Sequence, residues 1–130
     1  MTSVVLDASA LIAFLRGEPG ADVVRQRIAG ASISAVNYSE VLKKTIEVNG
    51  LPDIVHAHMG TLTVNVVPFD ERQARSTAAL YPATKSLGLS FADRACLGLG
   101  MSCGATVLTT EGKWTRTELP VKIKLIRGKH

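Results

Sequence analysis

The sequence predicts an α/β fold in which helices cover both faces of a mainly parallel five-stranded sheet, giving a three-layer α/β/α arrangement. Short apolar runs alternate with segments whose apolar residues recur every three or four positions. Gly and Pro signals separate these segments, and no repeat or low-complexity tract interrupts them. Such alternation favours parallel strands joined by helices. Residues 1–130 match the length of a single domain.

The first half of the chain contains two predicted strands and three predicted helices. Residues 3–7 form a continuous apolar run that ends in an acid, as a buried strand would. A helix over 8–16 stops at a Gly-Glu-Pro-Gly turn signal, and a second helix over 21–29 has its apolar residues on one face. A short strand over 31–36 precedes an amphipathic helix over 38–48.

The second half continues the same alternation. The helix predicted over 70–87 is expected to break before Pro82, because proline disfavours helix in the residue that precedes it. The last strand alternates charged and apolar residues, which is typical of a sheet edge. The predicted elements in chain order are helix 53–62, strand 64–69, helix 70–87, helix 90–102, strand 105–110 and strand 122–127.

Composition excludes several classes of protein. Apolar residues make up 46% and charged residues 20%, which is globular rather than disordered. Aromatic residues make up only 5%, which argues against a base-stacking platform. No apolar run of 18 residues exists, and the start of the chain lacks the pattern of a secretory signal. We therefore expect a cytoplasmic protein with no membrane segment.

The cysteines and the charge add weaker constraints. Cys96 and Cys103 lie seven apart in a predicted helix, roughly 10.5 Å along its axis, which is too far for a disulfide. We expect both to be buried thiols in a reducing compartment. The net charge is +4, which favours a polyanionic partner without proving one. Six basic residues cluster near the end, either as a solvated surface or as a nucleic-acid contact: Lys113, Arg116, Lys122, Lys124, Arg127 and Lys129.

Four acids stand at junctions between predicted strands and helices, and each has an ordinary structural explanation. Asp7 ends the first strand and could cap the next helix. Glu40 falls in the first turn of its predicted helix, with Lys44 four residues on. Asp93 matches a capping box with the serine three residues before it, and Glu111 could be a turn residue after a strand.

The shared position of the four acids changes this interpretation. In a parallel sheet with right-handed crossovers, the four junctions open on the same edge. Carboxylates gathered there would repel one another unless a cation neutralised them. Oxygen ligands without His or Cys select a hard ion, Mg²⁺ or Mn²⁺, and such ions activate water for phosphodiester cleavage. Ser9 could hydrogen-bond a carboxylate or a bound water, or be an ordinary first-turn serine.

Four segments of the chain resemble PIN-domain ribonucleases, and among them the VapC toxins of bacterial toxin–antitoxin pairs. The resemblance runs nearly end to end and rests most on the first and third segments. These segments are Val5-Leu6-Asp7-Ala8-Ser9-Ala10-Leu11, Ser39-Glu40-Val41-Leu42, Leu89-Ser90-Phe91-Ala92-Asp93-Arg94-Ala95-Cys96-Leu97 and Val107-Leu108-Thr109-Thr110-Glu111-Gly112-Lys113-Trp114.

The resemblance implies a PIN-like domain with an acidic pocket at the carboxyl ends of its strands. It implies that Asp7, Glu40 and Asp93 are the three core acids, with Ser9 as the small hydroxyl residue and Glu111 as the fourth acid. Asp is commoner than Glu at the fourth position, so the longer side chain could reach the metal through a water. The resemblance further implies a homodimer, a VapB-like antitoxin that blocks the site, and growth arrest by RNA cleavage.

The sequence therefore predicts a Mg²⁺- or Mn²⁺-dependent endoribonuclease that acts as the toxin of a toxin–antitoxin pair. Its catalytic and metal-binding residues are predicted to be Asp7, Glu40, Asp93 and Glu111, assisted by Ser9. The alternative is a catalytically silent PIN-fold module that binds RNA or protein. A receiver-type phosphoacceptor domain would need an acid pair after the first strand, where this chain has Ala8 and Ser9.

Overall fold

The computed structural model describes residues 3–128 and contains one five-stranded sheet between two layers of helices. The strands are β1 (Val4–Leu6), β2 (Ser32–Ser34), β3 (Asn65–Val67), β4 (Thr106–Thr109) and β5 (Lys122–Leu125). Their order across the sheet is β3-β2-β1-β4-β5, and every neighbouring pair is parallel. The predicted mainly parallel sheet, with the fifth strand at its edge, is confirmed. Lys129, a member of the predicted basic cluster, lies outside the described residues. So do the first two residues, whose sequence argued against a secretory signal.

Seven helices occur within the described part of the chain. They are α1 (Ala8–Arg16), α2 (Ala21–Arg27), α3 (Ala35–Glu47), α4 (Pro52–Thr61), α5 (Glu71–Ala79), α6 (Tyr81–Thr84) and α7 (Phe91–Cys103), with 3₁₀ turns at Lys85–Leu87 and Gly112–Arg116. The predicted break before Pro82 occurs, since α5 ends at Ala79 and Pro82 stands in the first turn of α6. No helix among residues 3–128 is long and apolar enough to cross a membrane.

The prediction at the start of α3 was wrong in a way that matters for the site. The strand predicted to reach Val36 ends at Ser34, whose side chain accepts a hydrogen bond from the Val36 amide at 3.2 Å and so caps the helix. Because α3 begins three residues earlier than predicted, Glu40 lies in its second turn rather than its first. Its carboxylate is therefore beyond the turn in which the helix dipole favours negative charge.

Two apolar clusters, one on each face of the sheet, hold the layers together. One contains Leu6, Ile33 and Leu108 with side chains of α1 to α4. The other contains Val5 and Val107 with side chains of α7 and the 3₁₀ turn after β4, among them Cys96 and Trp114. The alternation of strand residues between these clusters fixes which way each strand end points, and so orients the residues that follow β1 and β4.

Helix α7 lies unusually close to β4. A Cβ atom at Gly100 would clash with the side chain of Val107, so only glycine permits this approach. Cys96 is fully buried in the same interface, whereas Cys103 at the end of α7 is exposed. Both cysteines are free, as expected, but the prediction that both are buried was wrong for Cys103, because it lies on the last, solvent-facing turn.

Candidate metal and active site

Asp7 occupies the junction between β1 and α1 and is only 5% exposed. It stands at the N-cap position of α1, but its side chain makes no capping hydrogen bond, so the cap explanation is wrong for its carboxylate. Instead, Asp7 Oδ2 accepts hydrogen bonds from Ser9 Oγ at 2.6 Å and from Thr109 Oγ1 at 2.9 Å. The serine that the sequence singled out therefore does contact a carboxylate.

Thr109 is part of this site, although its sequence pattern indicated only a strand residue. It is the last residue of β4, fully buried, and its hydroxyl also accepts a hydrogen bond from the Glu111 amide at 3.0 Å. Ser9 Oγ likewise accepts from the Thr110 amide at 3.1 Å. These bonds tie the ends of β1 and β4 together. The pairing of Leu6 with Leu108 brings Thr109 opposite Asp7, and that register is not visible in the sequence.

The electrostatic setting of Asp7 is unfavourable for an isolated charge. Burial raises the pKa of Asp7 from 3.8 to about 6; the hydrogen bonds of Ser9 and Thr109 lower it, and the nearby charge of Asp93 raises it. None of the four ion pairs among residues 3–128 involves Asp7. The carboxylate is thus held in place by neutral donors, with no described cation to compensate its charge.

Asp93 lies in the first turn of α7 and forms the capping box that its spacing predicted. Its Oδ2 accepts from the Ser90 amide at 2.9 Å, and Ser90 Oγ accepts from the Asp93 amide at 3.1 Å. This bond uses one carboxylate oxygen, and the side chain is half-buried rather than enclosed. Asp93 therefore both caps α7 and lies close to Asp7.

Cys96 shows that three of the predicted acids converge. Burial raises the pKa of the Cys96 thiol well above its ordinary value, and the charges of Asp7, Asp93 and Glu40 raise it further. Glu40 reaches this region from the second turn of α3, half-buried, and the ion pair with Lys44 suggested by its spacing is not among the described ion pairs. Acids from the β1–α1 junction, α3 and α7 thus all act on one buried thiol.

Glu111 differs from the other three acids. It is exposed and precedes the 3₁₀ turn Gly112–Arg116 without making a capping hydrogen bond. It is not among the described charges that act on Asp7 or Cys96. Trp114, three residues on, is fully buried in the apolar cluster that contains Val5 and Val107, and does not line the site.

The donor set suits a hard divalent cation but is not a preformed cage. Among residues 3–128, no three His, Cys, Asp or Glu side chains stand close enough to form a ready set of ligands. Mg²⁺ needs no such set, because it keeps several waters and is usually bound by only one or two carboxylates. The buried, uncompensated carboxylate of Asp7, close to Asp93, fits an ion of this kind.

Asn37 is a second residue near the site that was not predicted from the sequence. It is fully buried on α3, one turn before Glu40, and its Nδ2 donates to the Ala92 carbonyl at 3.0 Å. Its Oδ1 is buried and has no hydrogen-bond partner among the described residues. No clear signal for it was present in the sequence, because the predicted helix began only at Tyr38; once α3 starts at Ala35, Asn37 and Glu40 share a helical face.

The comparisons with known proteins agree with this architecture. The PIN domain family model matches residues 4–118. No curated protein matches the chain significantly. A toxin–antitoxin complex from Klebsiella pneumoniae is similar in structure, with a TM-score of 0.75 and 17% identity over 96% of this chain and 98% of that one.

Two further solved structures show the same fold at low identity. DNA-bound VapBC from Salmonella typhimurium has a TM-score of 0.69 and 17% identity, over 98% of this chain and 100% of that one. Mycobacterium tuberculosis VapC20, described as a sarcin–ricin loop cleaving toxin, has a TM-score of 0.70 and 15% identity, over 87% of this chain and 93% of that one. With the family match spanning most of its length, the chain belongs to the PIN domain family.

Proposed function

We propose that this protein is a Mg²⁺- or Mn²⁺-dependent endoribonuclease and the toxin of a toxin–antitoxin pair. The observation that carries the proposal is the buried Asp7 carboxylate, which lies near Asp93 and has no described cation partner. Burying an uncompensated charge is costly, so the arrangement makes sense if a bound cation offsets it. The names of the structural neighbours, several of them toxin–antitoxin complexes, supply the biological context.

Each residue has a distinct role in this proposal. Asp7 and Asp93 hold the ion, with Glu40 at the side of the site that α3 forms. Ser9 and Thr109 donate to Asp7 Oδ2 and keep that carboxylate oriented. Glu111, exposed at the rim, acts on the ion through water. A bound divalent cation supplies water activation and charge stabilisation for phosphodiester cleavage.

The RNA backbone would also contact a basic groove beside β5, at the edge of the sheet. This groove of about 510 Å³ is lined by Arg27, Lys122 and Lys124, together with Thr106 and Thr115. The two lysines are exposed on the edge strand, and positive charge there would attract phosphates. Arg127, a member of the predicted basic cluster, is engaged instead by Glu18 at 3.1 Å.

A protein partner is supported by an apolar surface between α3 and α4. Four large apolar side chains there are about 60% exposed: Ile46 59%, Val48 60%, Leu51 64% and Ile54 64%. Such a patch is typical of an interface. We propose that a VapB-like antitoxin or a second copy of the chain covers this surface, in a cytoplasmic homodimeric toxin.

The decisive experiment is cleavage of RNA by the purified chain with Mn²⁺ or Mg²⁺ and with excess chelator. The Asp93→Asn protein should lose cleavage, whereas Asp70→Asn should keep it. Asp70 is the matched control because it also caps a helix, accepting from the Gln73 amide at 3.0 Å, but is exposed at the start of α5. Metal-independent cleavage would contradict the proposal, and RNA binding without cleavage would favour a catalytically silent module.

A cellular experiment tests the toxin assignment separately. Expression of the wild-type chain without an antitoxin should arrest bacterial growth, and expression of Asp93→Asn should not. Arrest by both proteins would mean that the toxicity does not depend on cleavage at this site.

A further inference from the structure

Asn37 makes the one described side-chain hydrogen bond between α3 and α7. Its Nδ2 donates to the Ala92 carbonyl oxygen at 3.0 Å, across 55 positions of sequence. We propose that Asn37 is a positioning residue whose buried amide sets the separation between Glu40 and Asp93. This inference rests on the proposed function, because the two acids matter only if they act at one site.

The placement of this bond connects the two turns that carry the acids. Asn37 and Glu40 are three residues apart on α3, and side chains with this spacing share a helix face. Ala92 directly precedes Asp93 in the first turn of α7. A shift of either helix along the other would therefore break the bond and change the separation of the carboxylates at once.

The capping box at the start of α7 cannot set the separation between Glu40 and Asp93. The bonds between Ser90 and Asp93 fix the carboxylate relative to its own helix. They leave the position of α7 relative to α3 undetermined. Close packing of Gly100 against Val107 fixes α7 relative to β4, near the opposite end of the helix. The amide of Asn37 supplies the missing constraint at the end of α7 where Asp93 lies.

The cost of this arrangement argues that it is not simply a feature of the core. Asn37 is 0% exposed, yet its Oδ1 has no hydrogen-bond partner among the described residues. A buried acceptor left unpaired costs about 1–3 kcal/mol, so an apolar side chain of similar size would suit the interior better. What the amide offers in return is one directional bond to a fixed backbone atom.

The test compares Asn37→Leu with Thr84→Val. Thr84 is a matched control because it is also fully buried and donates to a backbone carbonyl, that of Leu80 at 2.8 Å, but lies on α6. Mn²⁺ affinity is measured by calorimetry on the full chain without RNA, alongside thermal unfolding in chelator and the kcat and KM of RNA cleavage.

For Asn37→Leu we expect Mn²⁺ affinity and kcat to fall about 10- to 100-fold, as when other residues that orient metal ligands are removed, with little change in KM. Its metal-free melting temperature should not fall below that of Thr84→Val, which should keep wild-type Mn²⁺ affinity. Wild-type affinity in Asn37→Leu, or an equal loss in Thr84→Val, would overturn the positioning role.

A second variant distinguishes positioning from direct ligation. Asn37→Asp keeps the side-chain oxygen and replaces the amide nitrogen with a second oxygen, so the N–H donor to Ala92 is lost. The positioning role therefore predicts a loss like that of Asn37→Leu. Retained or tighter Mn²⁺ binding would mean that an oxygen at this position ligates the ion, and would overturn the inference. A wild-type chain that neither binds Mn²⁺ nor cleaves RNA would overturn the proposed function, and the positioning role with it.

Discussion

Asp7 and Glu111 follow neighbouring parallel strands at the same edge of the sheet, yet the structure treats them in opposite ways. Asp7 is 5% exposed and accepts two side-chain hydrogen bonds, whereas Glu111 is exposed and caps nothing. Helix α1 begins immediately after Asp7, so the carboxylate is enclosed between α1 and β4. Glu111 is one residue further from its strand and precedes only a short 3₁₀ turn.

The difference shows that a position just after a strand does not by itself bring a side chain into the site. The backbone amide of Glu111 binds Thr109 Oγ1, the same hydroxyl that donates to Asp7. Glu111 thus helps to hold the site through its backbone amide, while its side chain remains exposed. We expect substitutions at the two acids to differ accordingly.

The largest expected effect is that of Asp7→Asn on RNA cleavage. Removing the carboxylate removes the proposed central metal ligand, and the loss should exceed about 100-fold, since even partners of metal ligands typically contribute 10- to 100-fold. Initial rates with saturating Mn²⁺ measure it, and circular dichroism checks that the fold is retained. Cleavage within a few-fold of wild type would remove Asp7 from the centre of the mechanism.

The same carboxylate should make metal-free stability depend on pH. Because the pKa of Asp7 is raised from 3.8 to about 6, the folded state holds the proton more tightly than the unfolded state does. The free energy of unfolding of the wild type should therefore fall relative to Asp7→Asn as pH rises from about 4 to about 6, by up to about 3 kcal/mol.

Urea unfolding in chelator at several pH values measures this gap, the difference in the free energy of unfolding between the wild type and Asp7→Asn. Glu111→Gln is the matched control, because it removes an exposed acid that also follows a strand. A gap of equal size over the same pH range in that control would show that burial of Asp7 is not its cause. Addition of Mn²⁺ at pH 7 should reverse the sign of the gap, because the ion binds only the wild-type carboxylate well.

A smaller effect is expected for Thr109→Val, which keeps the shape of the side chain but removes its hydroxyl. Asp7 loses one donor and the Glu111 amide loses its acceptor, so stability should fall by about 1–3 kcal/mol and cleavage by about 10- to 100-fold. Thr84→Val is the control, since Thr84 on α6 is equally buried and its hydroxyl also makes a hydrogen bond, to the Leu80 carbonyl. Equal losses of activity in both variants would argue for a general packing effect.

The fold and three acids of the candidate site could be predicted because each depends on local pattern. Helix α1 begins and ends at the predicted residues, since Asp7 and Gly17 mark its two ends. The spacing of Ser90 and Asp93 predicted the capping box that the structure contains. The strand pattern predicted a parallel sheet, and parallel sheets bring such junctions to one edge.

The remainder of the site depends on contacts between distant segments. Thr109 meets Asp7 only through the register of β1 with β4, and Asn37 meets Ala92 only through the packing of α3 on α7. The start of α3 was misplaced because Ile33 and Val36 resemble strand residues, while the capping role of Ser34 depends on the backbone turning there. Local patterns cannot encode such pairings.

The smallest expected effect is that of Glu111→Gln on cleavage. An exposed side chain outside the cluster around Cys96 can act on the ion only through water, so the loss should be less than about tenfold, below the range for residues that contact metal ligands directly. Glu118→Gln, an exposed acid in the next turn of the chain, serves as control and should change cleavage less still. Rates at limiting Mn²⁺ give the most sensitive comparison, because a residue that acts through water affects ion affinity first. A loss as large as that of Asp7→Asn would mean that Glu111 moves into the site when RNA binds, and that the two strand ends are equivalent in function despite their different burial.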